Sequence, residues 1–267
     1  MLDNEFIFNE EEKQYYDFCL RNRQALTNNV LPKFDRTYKK QIENIDQFGY
    51  EIIKPEKLAG FEQICLDVND VFSSKNQRSI NNPLLEINGL YNFIKENAVG
   101  FACEYFNCVP MLSFIKIIKS DITNKKPKDT QFFHRDPGSF KFLKLVIYLH
   151  DVDENSGPFS YVENSHKDFY FGQNGRKRYT DEDVINSHGE QKIKNLIGKK
   201  GDMIFFNPVG IHKGKLPLKS NRTAIIANFT LHPEYGQKDN FARIKFDMKN
   251  MKTSLDYFLL QACAPRF

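Results

Sequence analysis

The chain has 267 residues, 40% hydrophobic and 27% charged, the balance of a soluble globular protein long enough to bury its own core. Its mean hydropathy is −0.55 and its apolar runs fall short of the ~20 residues a membrane span needs, which excludes a transmembrane protein. The formal charge of +4 is spread along the chain; it suits an anionic substrate and is too weak to argue for nucleic acid.

The first residues, 1–9, carry no basic stretch followed by an apolar run, so no secretory signal is expected. Up to about residue 110 the apolar spacing is helical. Glu10 to Thr27 places Phe18, Cys19 and Leu20 among charges. Glu56 to Phe72 carries Leu58, Phe61, Ile64, Cys65, Val68 and Val71 at intervals of three and four, which gives one apolar helix face. Leu90 to Phe106 has the same character. Beyond residue 110 the patterns shorten into strands. Met111 to Ile118, the short aromatic Thr130 to His134, and the dense apolar Phe142 to Leu149 come first. The turn Asn155-Ser156-Gly157-Pro158 then leads into Phe159 to Val162. The segment Phe171 to Leu196 is polar and reads as an insertion or lid. Asp202 to Phe206 and Arg222 to Leu231 are the last strands, and the tail from Phe241 to Phe267 is expected to pack back on the core. Several short strands separated by Gly, Pro and Asn turns predict a β-barrel or jelly roll.

The five cysteines, Cys19, Cys65, Cys103, Cys108 and Cys263, are odd in number and form no CxxC pair. Neither a disulfide framework nor a zinc ribbon is expected, and the chain is placed in a reducing cytoplasm.

The histidines carry the chemistry. A mononuclear iron site needs two imidazoles and a carboxylate on one face of the metal, with open positions for substrate and oxygen. A strand supplies the first pair as His-x-Asp or His-x-Glu, because residues i and i+2 share a side. Four stretches fit: His134-Arg135-Asp136, His166-Lys167-Asp168, His188-Gly189-Glu190 and His232-Pro233-Glu234. Context separates them. His134 closes a short strand and precedes an apolar one. His212 follows Asp202 to Phe206 and the turn Asn207-Pro208, and Arg222 opens the next apolar strand. His166 sits in the polar turn Glu163-Asn164-Ser165. A rival set of His166, Asp168, His232 and Arg243 would need a poorly apolar last strand, Ala242 to Met248. An arginine opening a strand of the type TAIIANF needs an anionic partner if it is buried, and a dicarboxylate supplies one.

The stretch Gln131 to Lys167, QFFHRDPGSFKFLKLVIYLHDVDENSGPFSYVENSHK, resembles the core signature of the phytanoyl-CoA dioxygenase (PhyH-like) family of iron(II)/2-oxoglutarate oxygenases. That signature runs from His-x-Asp through an apolar strand and an acidic stretch with Gly-Pro to a Ser-His-Lys close. Gly201 to Phe229, GDMIFFNPVGIHKGKLPLKSNRTAIIANF, resembles the distal half of the family. The likeness covers roughly residues 111 to 232.

The resemblance implies a mainly β core with α-helices: a double-stranded β-helix (jelly roll, cupin-like) with an N-terminal helical region packed on it. A single domain over 1–267 is expected, with 1–110 as helical support, 111–232 as core with an insertion at about 171–196, and 233–267 as an extension. His134, Asp136 and His212 would bind Fe(II). Arg222 would pair with the distal carboxylate of 2-oxoglutarate, and Gln131 would border that cosubstrate. Gly214 stands where relatives often have Ser. Phe140 would line the substrate side, and Arg135 and Arg178 are further substrate candidates, with Arg176 and Lys177 beside them. The implied reaction is 2-oxoglutarate- and O2-dependent hydroxylation of a C–H bond, with release of succinate and CO2. A retained Asp136 favours hydroxylation over halogenation, while desaturation or cyclisation stays open. The expected substrate is a small polar or anionic metabolite, with an acyl or carrier-bound substrate as the alternative. The expected protein is a monomer or homodimer with no nucleic-acid or membrane partner. A cupin-like metal protein without 2-oxoglutarate, or a non-catalytic ligand-binding barrel, would not need Arg222.

Overall fold

Alternation along the apolar strands explains the architecture. In the computed structural model, which describes residues 10–28, 37–123, 126–136, 141–168, 177–231 and 245–260, these strands are covered on both faces. The elements run α1 (Glu10–Thr27), α2 (Lys39–Phe48), β1 (Tyr50–Ile53), α3 (Phe61–Lys75), β2 (Ser79–Ile80), α4 (Pro83–Glu86), α5 (Leu90–Asn97), α6 (Val99–Phe106) and β3 (Met111–Ser120). There follow β4 (Leu143–Tyr148), β5 (Phe159–Val162), α7 (Asp181–His188), β6 (Ile193–Leu196), β7 (Met203–Phe206), β8 (His212–Gly214), β9 (Arg222–Thr230) and α8 (Ser254–Leu260).

Two antiparallel sheets form the jelly roll, the major one ordered β1-β7-β4-β9-β3-β2 and the minor one β6-β5-β8. Leu143, Leu145 and Ile147 of β4 pack outward with Met203, Phe205, Ile225, Ala227 and Phe229 against apolar residues of α3, α5, α6 and α8. The alternate residues Val146, Tyr148, Ile204, Phe206 and Ala224 face inward and meet Phe159 and Tyr161 of the minor sheet. Helices therefore cover one face of the major sheet, and its other face lines the interior. This is the expected mainly β core with helices, a double-stranded β-helix.

Several elements differ from the sequence expectation. The helix expected from Glu56 starts at Phe61, after Gly60 at φ +74. Leu90 to Phe106 forms two helices, α5 and α6, separated at Ala98, where the Asn97 side chain donates to the Phe93 carbonyl and competes with the helical ladder. Thr130 to His134 is not a strand. Asp129–Gln131 makes a single turn of 3-10 helix, and Phe133 and His134 make isolated bridges to Tyr179 and His212. Within 1–110, β1 pairs with β7 and β2 with β3, so this region supplies both edges of the major sheet as well as helices. The segment expected as an insertion ends in β6, which pairs with β5. Its stretch 171–176 lies outside the described residues.

The tail is anchored by Asp256 at the start of α8. Its side chain is fully buried and accepts from Tyr91 Oη at 2.6 Å, Lys95 Nζ at 2.9 Å and Thr253 Oγ1 at 2.7 Å. Burial alone would raise this carboxyl, but the hydrogen bonds from Tyr91, Lys95 and Thr253 outweigh it and hold it at about 2. Its folded value lies below the ordinary 3.8, so its contribution is complete above 3.8 and is lost as pH falls toward 2. Asp256→Ala should destabilise the protein by about 2–3 kcal/mol, since it leaves the Tyr91 hydroxyl without its partner and removes a helix cap. Urea midpoints at neutral pH would show the loss, and the gap to wild type should close below pH 3.8. An unchanged midpoint would contradict this role.

Candidate active site

His134 and His212 lie side by side because their backbones are paired, which extends the minor sheet past β8. Each N–H donates to the other's carbonyl at 2.9 Å, and the ring centroids lie 4.4 Å apart. His134 Nδ1 bonds the Phe132 carbonyl at 2.9 Å, and His212 Nδ1 bonds the Gly210 carbonyl at 2.8 Å. A carbonyl only accepts, so each Nδ1 carries a proton, and Nε2 is the nitrogen turned toward Asp136. Asp136 is placed by its N–H, which donates to the Pro208 carbonyl at 2.9 Å. Its oxygens lie 3.6 Å from His134 Nε2 and 3.4 Å from His212 Nε2. The three ligand atoms lie within 4.8 Å of one another, and both imidazoles are buried. Two imidazole nitrogens and a carboxylate converging on one point fit a divalent metal of the iron type.

The electrostatics agree. Burial, reinforced by the neighbouring His212, pushes His134 down to about 3, so its ring is neutral at physiological pH. Burial would raise Asp136, but Lys144 and the two imidazoles hold its carboxyl well below the ordinary range. Lys144 Nζ forms a short ion pair with Asp136 Oδ2.

These groups line a cavity of about 360 Å³ between the sheets. Its other end holds Arg222, half-buried at the start of β9. Arg222 donates only to neutral oxygens, Ser120 Oγ at 3.2 Å and the Lys215 carbonyl at 3.4 Å, and no carboxylate among the described residues pairs with it. A Cβ at Gly214 would stand 3.0 Å from Arg222 Nη2, so the glycine leaves room for the guanidinium. Gln131 also lines the cavity, with its Oε1 accepting from Lys128 N–H at 2.8 Å. Phe114, Ile118, Val146, Phe159 and Phe206 form apolar walls.

A search of curated proteins finds no match. The family described as phytanoyl-CoA dioxygenase matches residues 67–224, more than half of the chain. The chain belongs to the phytanoyl-CoA dioxygenase family. It is an iron(II)- and 2-oxoglutarate-dependent oxygenase that uses O2. Solved structures share the fold at low identity. One is the non-heme alpha-ketoglutarate-dependent carbocyclase SnoK from nogalamycin biosynthesis, with 17% identity and TM-score 0.53 over 76% of this chain and 85% of that one. HygX from Streptomyces hygroscopicus, with nickel and 2-oxoglutarate bound, has 15% identity and TM-score 0.56 over 72% and 86%. EctD from S. alaskensis, with 2-oxoglutarate and 5-hydroxyectoine, has 13% identity and TM-score 0.58 over 72% and 75%.

The structure thus brings His134, Asp136, His212, Arg222 and Gln131 of this family member to one cavity. Two of the three substrate candidates, Arg135 and Arg178, are not among the described residues that line it. Arg135 is buried elsewhere and donates to the Ser165 and Val209 carbonyls, tying two loops behind the site. Side-chain alternation explains this, since Arg135 lies between two ligands that face the metal. Arg178 is exposed and outside the cavity lining, as is Lys177. Phe140 and Arg176 lie outside the described residues. The decoy histidines have other partners: His166 Nε2 bonds the Asp46 carbonyl at 3.1 Å, and His150 Nε2 accepts from Thr223 N–H at 2.8 Å. His188 Nε2 lies 3.4 Å from Asp168 Oδ2, and His232, Glu234 and Arg243 fall outside the described residues. Sequence reasoning missed Lys116, Lys144 and Ser120, all in the lining. Lys116 and Lys144 interrupt otherwise apolar strand runs, FIKII and FLKLV, and that was the available signal.

Proposed function

We propose that this oxygenase hydroxylates a C–H bond of a small molecule, with His134, Asp136 and His212 holding iron(II) and Arg222 holding 2-oxoglutarate. The observation that carries the reading is the pairing of a buried two-His, one-carboxylate set with an arginine that lacks an acidic partner in the same cavity. With iron bound, 2-oxoglutarate and O2 give succinate and CO2, one oxygen atom entering succinate and the other the substrate C–H as hydroxyl.

The chain's own residues bind and orient. The carbonyls of Phe132 and Gly210 hold both imidazoles with Nε2 turned inward. Lys144 engages one Asp136 oxygen and fixes the carboxylate. Arg222 meets the distal carboxylate of the cosubstrate through its two-pronged guanidinium. The Phe and Ile walls exclude water from the reacting centre. At about 360 Å³ the cavity is at the small end of ligand sites and must hold cosubstrate and substrate together, which favours a metabolite over a polymer. No helix among the described residues is long and apolar enough to cross a membrane. Nucleic acid is not among the proposed partners.

The test is turnover under ¹⁸O₂ with candidate metabolites. Hydroxylation predicts one labelled oxygen in the product for each succinate formed. A product short of two hydrogens, with no label, would instead establish desaturation or cyclisation.

A further inference from the structure

Lys116 stands in the middle of the cavity wall. On β3 it is paired with Ile226, and Ile226 is paired on its other side with Val146, so the lysine belongs to a row that is otherwise aliphatic. Phe114 and Ile118, two residues either way along β3, share its face of the strand and also line the cavity. No carboxylate or hydrogen-bond acceptor among the described residues engages the Lys116 ammonium, whereas Lys144 is paired with Asp136. Lys116 is half-buried, so its ammonium is left to water or to an anionic group that enters the cavity.

The charge balance of the cavity leads to the same conclusion. Among the described residues, the charged side chains that line it are the cations Lys116, Lys144 and Arg222 and the anion Asp136. With iron(II) and the 2-oxoglutarate dianion bound, Asp136 offsets Lys144, the dianion offsets the iron, and the charges of both Arg222 and Lys116 stay unbalanced. Arg222 contacts the distal carboxylate on the reading above, so Lys116 is the cation with no anionic group assigned to it. Arg222 lies four residues along β9 from the partner of Lys116, about 13 Å at strand spacing, so the two cations enter the cavity at separate points of its wall.

We propose that Lys116 selects the substrate, as the residue that binds an anionic group, a carboxylate or a phosphate, on a small molecule with an apolar body. The inference rests on the oxygenase reading of the site. The anionic group pairs with Lys116, and the body lies along Phe114, Val146 and Ile226 toward the metal ligands. This gives the anionic substrate a recognition residue inside the cavity, a role the arginines at 135 and 178 do not fill.

The test uses the full chain loaded anaerobically with iron(II) and 2-oxoglutarate, whose visible charge-transfer band responds to a ligand entering beside it. The probes are hexanoate, hexyl phosphate and hexanamide at millimolar concentration, on wild type and Lys116→Met. Hexanoate or hexyl phosphate should perturb the wild-type band, and which of the two does so at lower concentration separates a carboxylate from a phosphate substrate. Hexanamide should not perturb it. Lys116→Met should weaken the anion response by at least about tenfold, the effect of losing one charge-assisted hydrogen bond, with 2-oxoglutarate affinity unchanged. An equal response to hexanamide, no response to either anion, or an anion response that Lys116→Met leaves intact would overturn the proposal. So would a Lys116→Met variant that binds 2-oxoglutarate as poorly as Arg222→Ala, which would make Lys116 a cosubstrate ligand. Absence of the band in wild type before any probe is added would count against the oxygenase reading itself.

Discussion

Asp136→Ala should lower 2-oxoglutarate turnover by at least about a thousandfold. Asp136 is the carboxylate of the described His-Asp-His set, and no other anionic side chain among the described residues lines the cavity. Without it only the two imidazoles remain as ligands, and Lys144 loses its ion-pair partner and becomes an uncompensated cation beside the metal position. Iron affinity should fall for both reasons, and several kcal/mol of lost metal chemistry corresponds to at least three powers of ten in rate. The fold should persist. The backbone N–H of Asp136 still reaches the Pro208 carbonyl, and the bridge between His134 and His212 is made by main-chain groups. Iron content after gel filtration and succinate release measure the two effects separately. Full turnover by this variant would remove the carboxylate from the assignment.

Arg222→Ala should weaken 2-oxoglutarate binding by about a hundredfold to a thousandfold and leave iron binding nearly unchanged. A desolvated, two-pronged arginine–carboxylate contact contributes several kcal/mol, and no carboxylate among the described residues competes for Arg222. Arg222→Lys should fall between the two, because it keeps the charge and loses the fork. Ser120 and Lys215 hold the guanidinium only through neutral oxygens, so its removal costs the fold little. KM for 2-oxoglutarate should carry most of the change. An unaltered KM would mean that the cosubstrate binds elsewhere.

The strands that build the site were legible because both of their faces are apolar. Phe142 to Leu149 and Asp202 to Phe206 are buried by helices on one side and by the interior on the other, and a continuous apolar run records that. The metal set was legible for a different reason. His-x-Asp followed by a distant His and an Arg at strand edges is a local pattern that survives folding. What the sequence concealed was set by tertiary contacts. β1 and β6 are half-buried edge strands that become strands only by pairing with β7 and β5, so their pattern is weak. Arg135 looked like a substrate contact from its position between two ligands, and that same position turns it away from the cavity. Lys116 and Lys144 look like stray charges in the sequence. The pleat puts both on the inner face of the major sheet, where one pairs with Asp136 and the other is left for an anion.

The account stands on iron and 2-oxoglutarate meeting in this cavity, and one anaerobic titration addresses that directly. Iron(II)-loaded protein is titrated with 2-oxoglutarate and followed by its visible charge-transfer band, wild type beside Arg222→Ala. The account predicts a band that saturates in wild type and needs about a hundredfold more 2-oxoglutarate in the variant. Iron bound with no band would contradict the cosubstrate site and point to a cupin-like metal protein. Failure to bind iron would contradict the metal site formed by His134, Asp136 and His212.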